Sequence, residues 1–227
     1  MKTTLYLALS ALCVLLLSGC ESQPVKGSGF LVSYEGFEQR PWSDGANVYL
    51  KPGTTLTDLN KYNKIMLTPI EIWQSDSSEY KGVDPQELAY IANSFTSKIK
   101  AAFEPDYPIV KEPGPDVLVF RMAITGLERK SPERSALGYI PIALLISAGG
   151  KAINSVQGEE AIIYHASLEA EGYDAVSGAR MLALVDDRKS DDTEVKKGGS
   201  NIKILDETLD YWVGRFRRNW DKAHGKK

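Results

Sequence analysis

The two histidines of this 227-residue chain, His165 and His224, bound the acid–base chemistry it can host. A nucleophilic hydroxyl or thiol needs a base beside it, and imidazole is the usual one. His165 falls in strand register with Ser167, Glu169 and Glu171, on the side away from the apolar positions, so it reads as a surface histidine. His224 lies in a lysine-rich end and reads as solvated. No Gly-x-Ser-x-Gly elbow, phosphate loop or dinucleotide glycine pattern occurs. The two cysteines are Cys13 and Cys20, too few to cage zinc with two scattered histidines. No cofactor and no metal are expected.

Carboxylates offer a second chemistry. Glu159, Glu160, Glu169 and Glu171 are candidates for an acid and base acting on a glycosidic bond, but nothing in the sequence sets their separation. Asp186, Asp187, Asp191 and Asp192 supply hard oxygen ligands of the kind calcium takes. They lack the glycine-punctuated spacing of a calcium loop, Arg188 and Lys189 interrupt them, and a solvated strand exit is the expectation. Arg215, Arg217, Arg218, Lys222, Lys226 and Lys227 make the C-terminal end positive. That charge suits a helix C-terminus and reads as a solvated face, with anionic headgroups as the alternative partner. Trp212 and Trp220 share one helical face and read as core.

One residue carries a specific chemical expectation. Lys2 precedes the uncharged run from Leu5 to Leu17, which is too short to span a bilayer and has the form of a secretory signal. Leu17, Ser18 and Gly19 then lead to Cys20, a sequence that resembles the lipobox of bacterial lipoproteins. The resemblance implies that signal peptidase recognises residues 17–19 and that the Cys20 thiol is acylated. Each buried acyl methylene contributes about 0.8 kcal/mol, so several chains on one residue anchor it permanently. Glu21 follows, and in the enterobacterial sorting pattern that this resembles an aspartate at that position would favour inner-membrane retention. The expected address is therefore the periplasmic side of the outer membrane, with the inner membrane second.

These residues must be positioned by an ordinary globular body. The chain is 43% hydrophobic and 25% charged with a net charge of −3, which excludes a strongly basic nucleic-acid binder, a low-complexity fibre and a polytopic membrane protein. Residues 1–19 read as a signal peptide, 20–28 as a lipidated tether, 29–222 as a single α+β periplasmic domain and 223–227 as a basic tail. From Gly29 to Tyr62, aromatics alternate with turn residues, as in an extended arm laid over a domain. Residues 64–73 read as a strand buried on both faces, with Pro69 marking an edge or bulge. Asp84, Pro85 and Glu87 form a helix start, and Leu88, Ile91, Phe95, Ile99 and Phe103 form its apolar stripe. Leu118, Phe120, Met122 and Ile124 share one strand face. Strands 162–170 and 179–186 flank a hairpin loop at 174–178, and Leu205, Leu209, Trp212, Val213, Phe216 and Trp220 line a last helix. The expected fold class is α+β, a mixed β-sheet with two helices packed on one face, preceded by an extended N-terminal arm.

Gly29-Phe30-Leu31 with Tyr34, Lys51-Pro52-Gly53, Tyr62-Asn63-Lys64, Ile70-Glu71-Ile72-Trp73, the run from Val83 to Leu88 and the run from Glu112 to Leu118 resemble, in that order, a family of bacterial lipoproteins known as domain of unknown function 3313. The resemblance implies a periplasm-facing lipoprotein and brings no activity and no site residues. More distantly, the order of elements is similar to the periplasmic domain of the curli-secretion lipoprotein. Between the strand that holds Leu118 to Ile124 and the strand 162–170, the charge-free stretch 137–150 is the most apolar part of the chain after Cys20. Tyr139, Ile140, Ile142, Leu144, Leu145 and Ile146 are candidates for either a buried turn or an interface, with another subunit, an envelope protein or the bilayer surface. The expected function is a non-enzymatic binding or envelope-assembly role. A weak carboxylate-based hydrolase and an oligomeric channel component are the alternatives, and no nucleic-acid partner is expected.

Overall fold

The computed structural model describes residues 25–73, 85–130, 162–189 and 201–226. The lipobox with Cys20, the candidate helix cap Asp84, the apolar stretch 137–150, Glu159, Glu160, Asp191 and Asp192 lie outside them. The elements are β1 (Glu38–Gln39), β2 (Asn47–Leu50), a 3-10 turn (Leu56–Lys61), β3 (Lys64–Leu67), β4 (Glu71–Ile72), α1 (Pro85–Phe103), β5 (Val117–Lys130), β6 (Ile162–Asp174), β7 (Arg180–Lys189) and α2 (Asn201–Ala223). They form one mixed sheet in the order β1-β2-β7-β6-β5-β3, with β4 also on β5. β3 and β4 run parallel to β5, which requires the α1 crossover, and the other pairs are antiparallel. The α+β class and the helices on one face are as the sequence indicates.

The helical stripes explain that face. Ile91, Phe95, Ile99 and Phe103 of α1 and Leu205, Leu209, Trp212, Val213 and Trp220 of α2 are buried in one cluster with Leu118, Phe120, Met122 and Ile124 of β5. Each such side chain contributes about 1.5–3 kcal/mol on leaving water. The opposite face is covered by the arm: Phe30, Leu31 and Phe37 pack on Ala123, Ala183 and Val185. Two alanines on the sheet leave room for the arm to lie close.

The segment 64–73 departs from its reading. It is two short edge strands, not one strand buried on both faces. Thr68 N still reaches Phe120 O at 3.0 Å and Trp73 N reaches Ile124 O at 2.9 Å, but Pro69 between them has no N–H to add to the ladder. Beyond β3, among the described residues, only the bridge of Ile65 to the Pro108–Val110 segment, at 3.1 and 2.8 Å, adds to the pairing, so Ile65 is buried while Met66 and Leu67 stay half-buried.

The β6–β7 turn is built by Asp174. Its Oδ1 accepts from the amides of Val176 and Ser177 at 3.1 and 2.8 Å and from Ser177 Oγ at 2.9 Å, and its Oδ2 accepts from the Tyr62 hydroxyl at 2.8 Å. The Ser177 amide and then the Tyr62 hydroxyl hold this carboxyl well below its ordinary range. Gly178 closes the turn at φ 68°, a conformation that glycine adopts without steric cost.

Candidate functional site beneath the N-terminal arm

Strand alternation puts Glu169 and Glu171 of β6 on the side opposite the helix-packed core, and the sequence assigns that side to solvent. The structure corrects this: Glu169 is 2% exposed and Glu171 is 0% exposed, because the arm runs across them. Glu169 Oε1 accepts from the Ser28 amide at 2.8 Å, and its Oε2 accepts from the Tyr34 hydroxyl. That hydroxyl in turn accepts from the amides of Gly29 and Leu31 at 2.9 and 3.2 Å. Burial, and then the Glu169 carboxylate, push the Tyr34 hydroxyl pKa up.

Glu171 is met by two arginines from the neighbouring strands. Arg121 Nη1 lies 3.0 Å from Glu171 Oε1, and Arg180 Nη1 lies 3.9 Å from Oε2. Both also grip the arm backbone. Arg121 Nη1 donates to Phe30 O at 3.0 Å and Arg180 Nη1 to Ser33 O at 2.7 Å. The Arg121 guanidinium sits 3.8 Å from the centroid of the Phe30 ring, and that of Arg180 sits 4.1 Å from the Tyr49 ring. Glu71 joins through Arg121 Nε at 3.4 Å. Burial and the Glu171 carboxylate push the Tyr173 hydroxyl up to about 12. Trp73 Nε1 donates to Ser28 O at 3.3 Å and its ring meets Phe30 edge-on. The cluster is thus a polar layer laminated between sheet and arm, with Glu171 held by two arginines and Glu169 by the Ser28 amide and the Tyr34 hydroxyl. A glycosidase needs its two carboxyl groups to flank an open cleft. Here both are spent fastening the chain to itself.

Three further expectations are corrected by the same physics. Asp186 is not a solvated strand exit: it is 4% exposed and accepts from Trp212 Nε1 at 2.7 Å, with Arg215 Nη1 at 3.0 Å and Arg188 Nε at 3.1 Å. The positive helix end is not a free basic face. Arg215 is buried on Asp186, Arg217 pairs with Asp106 and, at 2.8 Å, with Asp221, and Arg218 pairs with Asp44 at 3.2 Å. Arg215 and Arg217 are thus committed to acids, while Arg218 and Lys222 stay exposed, as read. His224 is held at both ring nitrogens, 2.7 Å from Trp220 O and 3.0 Å from Tyr62 O. Trp212 and Trp220 are core, as read.

His165, too, is largely covered, with 12% of its side chain exposed, and lies 3.5 Å from Asp187 Oδ1. Ser167 also donates to that oxygen, and the contact with His165 is the main reason that the Asp187 carboxyl titrates below its ordinary range. The order is serine, aspartate, histidine, with the acid in the middle. A hydrolytic triad needs the imidazole in the middle to take the hydroxyl proton, so this trio lacks the geometry for nucleophilic attack. Among the described residues no cluster of side chains has the composition of a metal site, and no helix is long and apolar enough to cross a membrane.

Fold and site together define an α+β domain whose outer sheet face is strapped by its own N-terminal arm. Residues 26–216 match the family described as protein of unknown function (DUF3313), and the chain belongs to that family. It is 33% identical over 151 residues to the uncharacterized lipoprotein YdcL of Escherichia coli strain K12, an alignment covering 65% of this chain and 67% of that protein. The same protein of E. coli O157:H7 matches equally. Among solved structures, a PelC dodecamer from Paraburkholderia phytofirmans aligns over 75% of this chain and 96% of its own, at 11% identity and a TM-score of 0.39. Rare lipoprotein B from Shewanella oneidensis aligns over 69% of this chain and 96% of its own, at 13% identity and a TM-score of 0.27.

Proposed function

We propose that this protein is a lipid-anchored lipoprotein of the outer membrane, facing the periplasm, with a non-enzymatic binding or envelope-assembly role. The observation that carries the reading is the arm. The chain that leads from Cys20 does not dangle from the domain but is fastened along the sheet from Ser28 to Phe37 by Glu169, Arg121 and Arg180. An anchor at residue 20 therefore holds the body close to the lipid surface. The non-catalytic reading is supported by the engagement of Glu169, Glu171 and Asp186 in this framework, and the lipid anchor by the lipoprotein relatives and the Leu17-Ser18-Gly19-Cys20 pattern.

Labelled palmitate fed to cells should enter the wild-type protein and not Cys20→Ser, and the labelled protein should band with outer membranes on a density gradient. Absence of label from the wild type would overturn the anchor, and banding with inner membranes would overturn the address. Crosslinking in intact cells, with and without residues 137–150, tests the partner. Capture of an envelope protein or a second copy that depends on Tyr139, Ile140, Ile142, Leu144, Leu145 and Ile146 is the expected result.

A further inference from the structure

The C-terminal end of α2 is fastened by the residue that follows it, His224, whose two ring nitrogens face the same kind of partner. Nδ1 lies 2.7 Å from Trp220 O, and Nε2 lies 3.0 Å from Tyr62 O. A backbone carbonyl oxygen only accepts, so each contact is a hydrogen bond only when the facing nitrogen carries a proton. Neutral imidazole has one N–H and imidazolium has two. With either neutral tautomer, one of the two contacts sets a nitrogen lone pair against an oxygen lone pair.

The contacts differ in reach. Trp220 lies one turn back in α2, and its carbonyl also accepts from the His224 amide at 3.2 Å, so that contact is local to the helix end. Tyr62 is 162 residues away and leads into β3, so that contact ties the end of α2 to the sheet. Tyr62 is 0% exposed, and its hydroxyl donates to Asp174 at 2.8 Å, which extends the tie to the β6–β7 turn.

The surroundings suit a positive ring. The end of a helix favours a cation, and the His224 ring lies 5.2 Å from the Trp220 ring and 5.0 Å from the Tyr107 ring. Charged groups stand on every element packed nearby, and most are matched. Asp221 of α2 pairs with Arg217 at 2.8 Å and accepts from the Tyr107 hydroxyl at 2.9 Å. Lys226 pairs with Asp106 at 3.8 Å, and Lys61 with Asp174 at 3.8 Å. Lys222 is exposed. The two carbonyls are therefore the direct hydrogen-bond partners of the ring.

We propose that His224 is a proton-operated clasp. Doubly protonated, it ties the end of α2 to Tyr62; on loss of the Nε2 proton it keeps Trp220 and releases Tyr62. Because the long-range bond exists only in the charged form, protonation and docking favour each other. The stability it contributes is present on the acid side of the histidine range and is lost as pH rises. The clasp does not depend on acylation of Cys20, so its test and that of the anchor fail separately.

The test uses the full protein as cells mature it, purified in detergent. Long-range ¹H–¹⁵N correlations from the carbon-bound ring protons report each nitrogen of His224. Both should be protonated at about pH 5, and Nδ1 alone at about pH 8, with the Tyr62 carbonyl ¹³C signal moving in step. His224→Phe keeps a ring against Tyr107 and Trp220 and removes both nitrogens. In urea, the ratio of its unfolding constant to that of the wild type should be about 2- to 12-fold larger at the acid end than at the other, the equivalent of one hydrogen bond of about 0.5–1.5 kcal/mol. His165 is common to both proteins and cancels in that ratio. A ring with one proton at the acid end, a ring that keeps the Nε2 proton at the alkaline end, or a ratio that does not change with pH overturns the proposal.

Discussion

Removing Arg121 should loosen the arm more than it loosens the body. In the native fold the Arg121 guanidinium neutralises Glu171, carries the Phe30 carbonyl and stacks on the Phe30 ring. With Arg121→Met, Glu171 is left at 0% exposure with Arg180 at 3.9 Å as its nearest remaining cation. Breaking a buried pair by deleting one partner costs about 3–5 kcal/mol, whereas replacing both partners by apolar groups of similar volume is often close to neutral. Arg121→Met and Glu171→Leu should therefore each cost about 3–5 kcal/mol. The double substitution should cost far less than their sum. Urea denaturation gives the three values, and hydrogen exchange at the Ser28 and Leu31 amides should locate the loss in the arm. Two outcomes refute the reasoning: single variants that cost under about 1 kcal/mol, or a double variant whose cost equals the sum. Either would mean that water, not Arg121, solvates Glu171.

Two further predictions concern turns. Asp174→Asn should destabilise by about 2 kcal/mol at pH 7, because hydrogen bonds to a charged acceptor are worth about 1.5–3 kcal/mol. The native carboxyl titrates below its unfolded value, so its contribution is present above the unfolded pKa of about 4 and disappears as pH falls through the lower folded value. Urea midpoints of the two proteins should converge on acidification, and a gap as wide at pH 3 as at pH 7 would refute the assignment. Asp44 holds φ at 50° and makes an exposed pair with Arg218. Asp44→Gly should change stability by less than about 0.5 kcal/mol, since relief of the left-handed conformation offsets the lost surface pair. Asp44→Val should cost more than about 1 kcal/mol by thermal melting, and equal melting temperatures for the two variants would contradict this.

The helices and the face they cover were legible because their apolar spacing depends only on local sequence: Ile91, Phe95, Ile99 and Phe103 can face one way only. The arm was legible as a row of aromatic anchors between turns. What it covers was not. Glu169 and Glu171 look solvated because alternation separates polar from apolar without saying whether the polar side meets water or another part of the chain. The partner Tyr34 is 135 residues away from Glu169. One signal was available: Arg121 stands directly across from Glu171 in the β5–β6 register, and opposite charges on one face of a pair of long strands are suited to burial. The Asp186–Arg215 pair escaped for the same reason, since which acid of β7 meets which arginine of α2 is set by how helix and sheet are docked. Pro69 did mark the edge, yet the run of apolar residues around it overstated burial, because on the side away from β5 only Ile65 is bridged among the described residues and the edge positions beyond it are shielded less.

The order in which the arm is fastened has a mechanical consequence. Ser28 is held first, then Phe30 at Arg121, then Ser33 at Arg180, and last Phe37 in its apolar seat. Tension applied at the N-terminus would load these attachments one after another, like stitches opened from one end. Each freed residue would add about 3.5 Å of slack, so residues 28–37 would release roughly 30 Å of travel before the backbone pairing of β1 with β2 carried any force. The arm can thus serve as a shock absorber between whatever pulls and the sheet that must not unravel.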